Sequence, residues 1–383
     1  MIPYGKQDIN QHDIDAVVSV LKSDYLTQGS QVPAFENAIA HYCCADYAVA
    51  MNSATSALHA ACLALELGEG DVLWTSPITF VASANVGLMC GAQVDFVDID
   101  PTTYLMCADA LAQKLADAKR KDCLPKIVMP VHFAGQSCDM VRIHALSQEY
   151  GFRIIEDAAH AIGGCYQDRP IGSCTYSDIS VFSFHPVKII TTAEGGVATT
   201  NQLALSDRLN LIRSHGVTRD TRLITQPVEG LWHYQQVALG FNYRMTDLQA
   251  ALGVSQMARL DDFVARRHEL AEVYHQALAG LPLILPEQGG NNFSSYHLFP
   301  VQVIDVKRSR RQVYDALRAK GLGVNVHYIP VHTQPFYKQF GFQEHDFPHA
   351  LAYYQNAISI PLHQGLTDDE QAYVIACLED VLA

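Results

Sequence analysis

The sequence has no excess of positive charge and no long apolar run. It contains 26 Lys and Arg against 40 Asp and Glu, which gives a formal net charge of −14. Nucleic acids and anionic membranes require clustered Lys and Arg, so neither is expected as a partner. No stretch reaches the ~18 consecutive apolar residues typical of a membrane span, and the first residues lack a basic stretch followed by an apolar one. We therefore expect a cytoplasmic protein.

Metal and nucleotide motifs are missing as well. The ten cysteines are scattered without a CxxC pair, and the 17 histidines include no HExxH, so we predict no metal site. Neither GxxxxGK[ST] nor GxGxxG occurs, which excludes the common nucleotide-binding loops. Scattered cysteines of this kind are expected to be reduced thiols of a cytosolic protein.

What the sequence does contain is typical of an α/β enzyme. With 383 residues, 49% of them hydrophobic, the chain exceeds the size of a single core, and we predict a large domain over 1–255 and a smaller one over 256–383. Short apolar runs alternate with helix-sized segments and predict strands buried on both faces of a mostly parallel sheet. These runs are 47–52, 71–77, 92–100, 126–135, 152–161, 177–185 and 194–200. The later residues read as a small α+β domain.

The stretch "SATSAL" (53–58) lies between a predicted strand and a predicted helix. Hydroxyl side chains and free backbone N–H groups at a helix N-terminus suit a phosphate. Taken alone, ordinary capping by Ser53 or Thr55 explains these residues better.

The stretch "FRIIEDAAHAIGG" ends a predicted strand with Glu156 and Asp157. Side chains alternate along a strand, so one carboxylate is expected at the ligand end of the sheet and the other elsewhere. Such a carboxylate can hold a metal, act as a base or keep a heterocyclic nitrogen protonated. A strand-end Asp that caps the next helix is an equally good explanation.

In "VFSFHPVKIITTAEGG" (181–196), a lysine follows an otherwise apolar run. Pro186 ends the strand, so Lys188 is expected on a bend beyond it, and Gly195 and Gly196 permit close approach of the backbone or a positive φ. A buried lysine has a lowered pKa and becomes a nucleophile toward a carbonyl. A lysine that snorkels from the sheet edge is the alternative.

The three stretches together are more specific than any one of them. Pyridoxal 5′-phosphate (PLP) needs a lysine that links covalently to its aldehyde, a carboxylate at its ring nitrogen and an anchored phosphate. Lys188, Asp157 and "SATSAL" supply these in the expected places. Phe80 in "SPITFVASAN", at a strand-to-helix turn, is placed to stack on the ring, although core packing alone would also account for it.

The chain resembles the DegT/DnrJ/EryC1/StrS family of sugar aminotransferases over essentially its whole length. The resemblance lies in "NSATSAL", "TSPITFVASAN", "EDAAHAIGG", "FSFHPVKIITTAEGG", "RSHG", "GFNYRMTDLQAALG" and "VHYIPVHTQPFY". It implies the type I, aspartate aminotransferase-like PLP fold. It also implies Lys188 as the covalent cofactor link and proton carrier, and the cofactor contacts Thr55, Ser56 and Ser183 (phosphate), Phe80 (ring face), Asp157 (ring nitrogen) and His160 (ring oxygen). Asn242 matches a position that reaches the phosphate of a neighbouring subunit, which implies a homodimer with shared active sites.

The resemblance also implies a reaction. Glutamate would donate its amino group and leave as 2-oxoglutarate, the cofactor would pass through its pyridoxamine phosphate form, and a UDP-linked 4-keto sugar would accept the amine. His160 in place of the usual Gln, and "TTAEGG" in place of "TxGEGG", are typical of branches that act on UDP-linked 4-keto sugars. Candidate substrate contacts are Thr27, Arg213, His215, Arg244, His327 and Tyr328. Each could equally be an interface or core polar residue.

Three other interpretations stay open at the level of sequence. The chain could aminate a different nucleotide 4-keto sugar, for example of the 4-amino-arabinose type. It could be a cofactor-dependent sugar dehydratase, although such relatives usually lack the lysine. It could also be a PLP-binding regulatory protein without turnover, which the intact Lys188 and Asp157 pair disfavours.

Overall fold

The computed structural model describes residues 1–304 and 307–382. Its strands are β1 (Ile2–Pro3), β2 (Tyr47–Met51), β3 (Val72–Thr75), β4 (Gln93–Phe96), β5 (Ile127–Met129), β6 (Arg153–Asp157), β7 (Cys165–Tyr166), β8 (Arg169–Pro170), β9 (Ile179–Ser183), β10 (Gly196–Thr200), β11 (Val217–Thr218), β12 (Gln235–Gln236), β13 (Leu283–Ile284), β14 (Asn292–Phe293), β15 (Phe299–Val303), β16 (Leu322–Gly323) and β17 (Ala357–Ile360).

Its α-helices are α1 (Gln11–Leu21), α2 (Gln31–Cys43), α3 (Ala54–Ala64), α4 (Ala82–Met89), α5 (Ala108–Arg120), α6 (Met140–Tyr150), α7 (Leu203–Arg213), α8 (Asp247–Met257), α9 (Leu260–Leu278), α10 (Arg310–Ala319), α11 (Pro335–Lys338), α12 (Pro348–Asn356) and α13 (Asp368–Leu382). Across the described residues, no helix combines the length and the apolar character that a membrane span needs.

A seven-stranded sheet forms the centre of the molecule, in the order β2-β10-β9-β6-β5-β3-β4. β10 runs antiparallel to both of its neighbours, and the remaining pairs are parallel. Each of the seven apolar runs of the sequence contains one of these strands, so the predicted mostly parallel sheet is confirmed.

Helices cover both faces of the sheet, as the unbroken apolar strands require. In β9, Val181 packs with Leu58 of α3 on one face, and its neighbour Phe182 packs with Phe35 of α2 on the other. Consecutive side chains point to opposite faces of a strand, so both faces must be apolar. The adjacent carboxylates Glu156 and Asp157 lie at the C-terminal end of β6, where the next loop begins.

The C-terminal part contains a smaller sheet of β13, β15 and β17, with a core that draws on α9, α10 and α13. The predicted boundary at residue 255 falls inside α8. Several contacts cross it. For example, β1 pairs in parallel with β16, and the segment from Val331 to Ala357 contributes Tyr337 and Tyr353 to the core under the large sheet. The segment that carries His327 and Tyr328 therefore lies between the two parts.

Candidate active site

The two adjacent carboxylates at the end of β6 face different surroundings, as the alternation of a strand predicts. Glu156 lies 2.6 Å from His132 Nε2 and accepts a hydrogen bond from Ser177. Asp157 accepts hydrogen bonds from Ser83 Oγ, at 2.6 Å, and from the Ala159 N–H, at 3.1 Å. Both carboxylates are buried and hydrogen-bonded within the chain, but it is Asp157 whose charge acts on Lys188, which makes Asp157 the candidate ligand of a cofactor.

Phe80 is an exposed aromatic ring beside this buried carboxylate. It follows β3 and precedes α4, and 60% of its surface is exposed, so core packing does not explain it. Ser83, which bonds Asp157, lies one helical turn further along and also bonds Thr79 at 2.7 Å. The same turn therefore holds the carboxylate and presents a free ring face.

Lys188 lies in the loop that joins β9 to β10, beyond the bend at Pro186. The loop is closed at its base, where the Phe184 N–H donates to the Gly195 carbonyl at 2.9 Å and the Thr192 N–H donates to the Phe184 carbonyl at 3.0 Å. Desolvation lowers the pKa of Lys188 to about 8, and the attraction of Asp157 opposes this shift. A substantial fraction of the amine is therefore neutral just above neutral pH.

Gly195 and Gly196 are needed for close approach. A Cβ on Gly196 would lie 2.5 Å from backbone atoms of Ser53 and Ala54, and one on Gly195 would lie 2.1 Å from Thr192 Oγ1. The predicted close approach is confirmed, and neither glycine is among the residues with positive φ. Gly196 thus allows the start of β10 to pack closely against the N-terminus of α3.

Ser53 caps the N-terminus of α3, as expected from ordinary helix capping. Its side chain accepts a hydrogen bond from the Ser56 N–H at 3.1 Å. The Ser56 hydroxyl in turn donates to Asn52 Oδ1 at 2.6 Å. Thr55 is half-buried in this first turn, and Ser183 ends β9 opposite Gly196. The structure thus gathers the predicted phosphate contacts Thr55, Ser56 and Ser183 around one helix end.

Histidines and tyrosines form a packed cluster behind Lys188. The rings of His160 and His297 are 4.4 Å apart, and those of His160 and Tyr328 are 6.1 Å apart. Burial, together with the nearby charge of Lys188, lowers the pKa of His160 and of His297 well below the usual range and that of His327 to about 3. These rings are therefore neutral at physiological pH.

Arg213 forms an ion pair with Glu36 and donates to the Ala50 carbonyl at 2.8 Å, with both side chains largely buried. The chain's own groups account for it without a substrate. His327 is also occupied, because its Nδ1 lies 2.8 Å from Ser359 Oγ. Both residues are predicted substrate contacts, and each has a partner within the protein.

The remaining predicted substrate contacts are more accessible. Thr27 and His215 are exposed, and Arg244 is half-buried. Thr27 bridges to Thr246, and Arg244 bridges to Met51 beside α3. Asn242 is exposed as well, and its carbonyl accepts the Asn52 side-chain amide at 3.2 Å.

Sequence reasoning missed Ser83 and His297. Ser83 could have been found, because it follows Phe80 by three residues and so shares its face of the first helical turn. His297 could not, because 137 positions separate it from His160 and no motif surrounds it. Tyr4, whose ring is 5.0 Å from that of His327, was missed for the same reason.

These residues fit PLP. The site offers a carboxylate fixed by two donors, a free aromatic face beside it, a helix N-terminus with hydroxyl side chains, and a lysine with a lowered pKa. In a mostly parallel α/β sheet, this donor set defines a type I PLP-dependent transferase. Phe80 and Asp157 give the clearest indication, because a large exposed ring beside a buried carboxylate has no role in the core.

The chain belongs to the DegT/DnrJ/EryC1/StrS aminotransferase family, which matches residues 7–379. The predicted family, fold, cofactor and enzyme class are thereby confirmed: this is a PLP-dependent sugar aminotransferase. Membership of an enzyme family speaks against a purely regulatory role.

Named relatives are similar over their whole length. Spore coat polysaccharide biosynthesis protein SpsC of Bacillus subtilis is 39% identical, with 100% of this chain and 97% of that protein covered. UDP-4-amino-4,6-dideoxy-N-acetyl-beta-L-altrosamine transaminase of Campylobacter jejuni is 35% identical, with 100% and 98% covered.

Solved structures agree with this assignment. Helicobacter pylori PseC, an aminotransferase involved in the biosynthesis of pseudoaminic acid, superposes with a TM-score of 0.90 at 28% identity and coverage of 100% and 99%. A putative sugar aminotransferase, Spr1654 of Streptococcus pneumoniae, gives a TM-score of 0.90 in its PMP form at 31% identity, again with 100% and 99% covered. Its PLP form has also been solved.

Proposed function

We propose that this enzyme transfers an amino group from glutamate to C4 of a UDP-linked 4-keto-6-deoxy-N-acetylhexosamine. The product would be UDP-4-amino-4,6-dideoxy-N-acetyl-β-L-altrosamine, for pseudaminic acid biosynthesis. The observation that carries the chemistry is the buried Asp157 carboxylate, which Ser83 bonds from the turn that carries the exposed Phe80 ring, together with its charge interaction with Lys188.

Lys188 has two tasks in this reaction. Its neutral amine would form the covalent link to the aldehyde carbon of the cofactor, and the amine that the donor later displaces would accept the α-proton of glutamate and pass it to the cofactor. A bound PLP supplies the electron sink that makes this α-proton acidic. In the second half of the reaction, Lys188 would deliver a proton to C4 of the sugar. The pKa of about 8 suits a group that must both accept and deliver a proton near neutral pH.

The other residues hold the site in place. The Asp157 carboxylate would pair with the cofactor's ring nitrogen and keep it protonated, and Ser83 and the Ala159 N–H orient the carboxylate for this contact. The first turn of α3, with Thr55 and Ser56, would bind the phosphate. Phe80 would cover one face of the ring and exclude water from it.

The proposed sugar is supported by two relatives and by His160. The Campylobacter jejuni relative carries the name of the proposed product, and the neighbour PseC is described as acting in the same biosynthesis. The substitution of His160 for Gln is typical of branches that act on UDP-linked 4-keto sugars. Thr27, His215, Arg244 and Tyr328 remain candidate contacts for the sugar nucleotide.

A second candidate is amination of a different nucleotide 4-keto sugar. It is favoured by the 39% identity to a spore coat polysaccharide protein, which exceeds the 35% identity to the altrosamine transaminase. A panel of UDP- and dTDP-linked 4-keto sugars, scored with glutamate for the amino product, separates the two candidates. We expect product from a UDP-4-keto-6-deoxy-N-acetylhexosamine, and product from other sugars alone would favour the second candidate.

The role of Lys188 has a direct test. Borohydride reduction of the holoenzyme should fix the cofactor on the peptide that contains Lys188, as measured by mass spectrometry. Lys188→Ala should still bind the cofactor but lose amino transfer by roughly 10²- to 10⁴-fold, the range of a lost general acid and base. Label on another lysine, or retained turnover, contradicts the assignment.

We further propose a homodimer with shared active sites. Exposed apolar side chains precede Asn242, among them Leu231, 98% exposed, and Trp232, 70% exposed. A monomer rarely exposes such a group of large apolar residues. A second copy of the chain would bury them and bring Asn242 close to the other subunit's cofactor phosphate.

Mixed dimers test this arrangement. Lys188→Ala and Asn242→Ala are each expected to be poorly active, but a hybrid dimer contains one site with both native residues. The two variants are unfolded, mixed and refolded together. This should restore about a quarter of wild-type activity if two-fold symmetric dimers form at random. An absence of restoration would mean that Asn242 serves its own subunit.

A cytoplasmic location is part of the proposal. All ten cysteines are free thiols, including the adjacent Cys43 and Cys44. Free thiols in this number are typical of a reducing compartment. Fractionation of cells that express the protein at native level would test it.

A further inference from the structure

His160 uses both of its ring nitrogens within the protein. The Ala134 N–H donates to Nδ1 at 3.2 Å, and Nε2 lies 3.1 Å from the Tyr328 hydroxyl oxygen. The ring is buried, and only 6% of the residue's surface is exposed. The sequence resemblance implied that His160 contacts the ring oxygen of PLP, but neither nitrogen is free for that contact.

The direction of the second hydrogen bond follows from the first. A ring nitrogen that accepts an N–H bond carries no proton. Because burial and Lys188 keep His160 neutral, its single proton lies on Nε2. Nε2–H therefore donates to the Tyr328 oxygen. The hydroxyl of Tyr328, whose pKa is raised by burial, keeps its own proton and can donate it to a further acceptor.

Tyr328 stands beside the candidate cofactor site. Its ring is 6.4 Å from that of Phe80 and 6.2 Å from that of Phe133. The charge of Asp157 acts on its hydroxyl. A PLP ring stacked on Phe80 and bound at its nitrogen by Asp157 would therefore lie within reach of Tyr328.

We propose that Tyr328 donates its hydroxyl proton in a hydrogen bond to the ring oxygen of PLP, and that His160 is a positioning residue that fixes the direction of this bond. Ala134, His160 and Tyr328 form a one-way chain of donors that ends on the cofactor. The inference rests on the covalent link to Lys188 but not on the identity of the sugar.

The proposal predicts a property of the bound cofactor that is independent of turnover. The negative ring oxygen normally helps to hold a proton on the nitrogen that joins Lys188 to the cofactor. A donor on that oxygen stabilises its charge and so favours loss of the nitrogen's proton. In Tyr328→Phe, the midpoint of the visible absorption titration of the holoenzyme should therefore rise by about one pH unit, the effect of one hydrogen bond to a charged group.

The matched control is Tyr337→Phe, which also removes a buried hydroxyl, but one that donates to Asn85 at 2.7 Å. Its midpoint should stay at the wild-type value. None of these variants changes the other titratable groups around Tyr328 and His160. These groups are Tyr4, Asp157, Lys188, His297 and His327.

Tyr328→Phe leaves the His160 Nε2–H without an acceptor and could disturb packing, so a second variant tests the same bond without removing it. Site-specific replacement of Tyr328 by 3-fluorotyrosine makes the hydroxyl a stronger donor and should move the midpoint down. His160→Leu frees the Tyr328 hydroxyl to rotate and should raise the midpoint by less than Tyr328→Phe does.

Two results would overturn the proposal. If the His160 variant shifts the midpoint while both Tyr328 variants leave it unchanged, His160 contacts the cofactor itself. If none of the variants shifts it, no member of the chain reaches the ring oxygen. The dissociation constant of the cofactor should increase in the same order as the midpoints rise. It is measured on the same proteins after part of the cofactor has been removed by dialysis.

Discussion

Ser83 donates a 2.6 Å hydrogen bond to Asp157 across a sequence distance of 74 residues. The Ala159 N–H donates to the other carboxylate oxygen, so both oxygens are held. Thr79 lies 2.7 Å from the Ser83 hydroxyl and extends the network to the turn that carries Phe80. The residue that would bind the cofactor's nitrogen and the ring that would cover its face are thus fixed by a single helical turn.

Ser83→Ala should lower kcat/KM by roughly 10- to 100-fold, because a hydrogen bond to a charged group contributes about 1.5–3 kcal/mol. The carboxylate loses one of its two donors but keeps its charge. Steady-state kinetics with saturating cofactor measure the effect. Ser147→Ala is the control, since its buried hydroxyl donates to the His144 carbonyl at 2.7 Å, away from the site. Equal activity of both variants would contradict the role of Ser83.

Attachment of PLP to the apoenzyme should accelerate with rising pH, with half of the increase near pH 8. Lys188 is a base whose pKa is lowered to about 8, so the protonated amine dominates below that pH and the reactive neutral amine dominates above it. Stopped-flow absorbance measures the rate. Lys188→Ala should not develop the band of the covalent link at any pH. A midpoint near the ordinary lysine value would mean that the amine is not desolvated.

Phe80→Ala should weaken cofactor binding by roughly 3- to 10-fold, the effect of about 0.5–1.5 kcal/mol of ring stacking. The free energy of unfolding of the apoenzyme should stay within about 0.5 kcal/mol of the wild-type value, because an exposed ring contributes little to the core. Fluorescence titration and urea unfolding give the two values. Phe340→Ala removes a similarly exposed ring and is the control. A large loss of apoenzyme stability would indicate core packing instead.

Arg213→Met should destabilise the fold rather than weaken sugar binding. It leaves Glu36 largely buried without its cation, at a cost of roughly 1–3 kcal/mol in the free energy of unfolding. The double variant with Glu36→Gln should recover part of that loss, and KM for the sugar nucleotide should stay constant. A raised KM at unchanged stability would restore Arg213 as a substrate contact.

The central sheet was predictable because buried parallel strands are apolar on both faces and therefore stand out as continuous runs. Lys188 and Asp157 were identified as candidates for a related reason. A lysine after "VFSF" and a carboxylate after "FRII" break the apolar pattern at the points where strands end. The candidate phosphate contacts were indicated by the start of a helix directly after β2.

The rest depends on contacts between distant residues. The Arg213 partner, Glu36, is 177 positions away, and Tyr328 is 168 positions from His160. No local spacing indicates such pairs, because the chain folds back through several elements before they meet. Sequence reasoning therefore indicated candidate residues for the site, but not which of them bind one another.

The antiparallel return of β10 also determines when the site can form. In the described part of the chain, β2 joins the central sheet only through β10, and about 150 residues separate the paired strands. During synthesis, residues 47–51 cannot pair with the sheet until residues 196–200 have been made. The helix end that would hold the phosphate is therefore completed only after the ribosome has made more than half of the protein, and a chain truncated before β10 would lack the cradle.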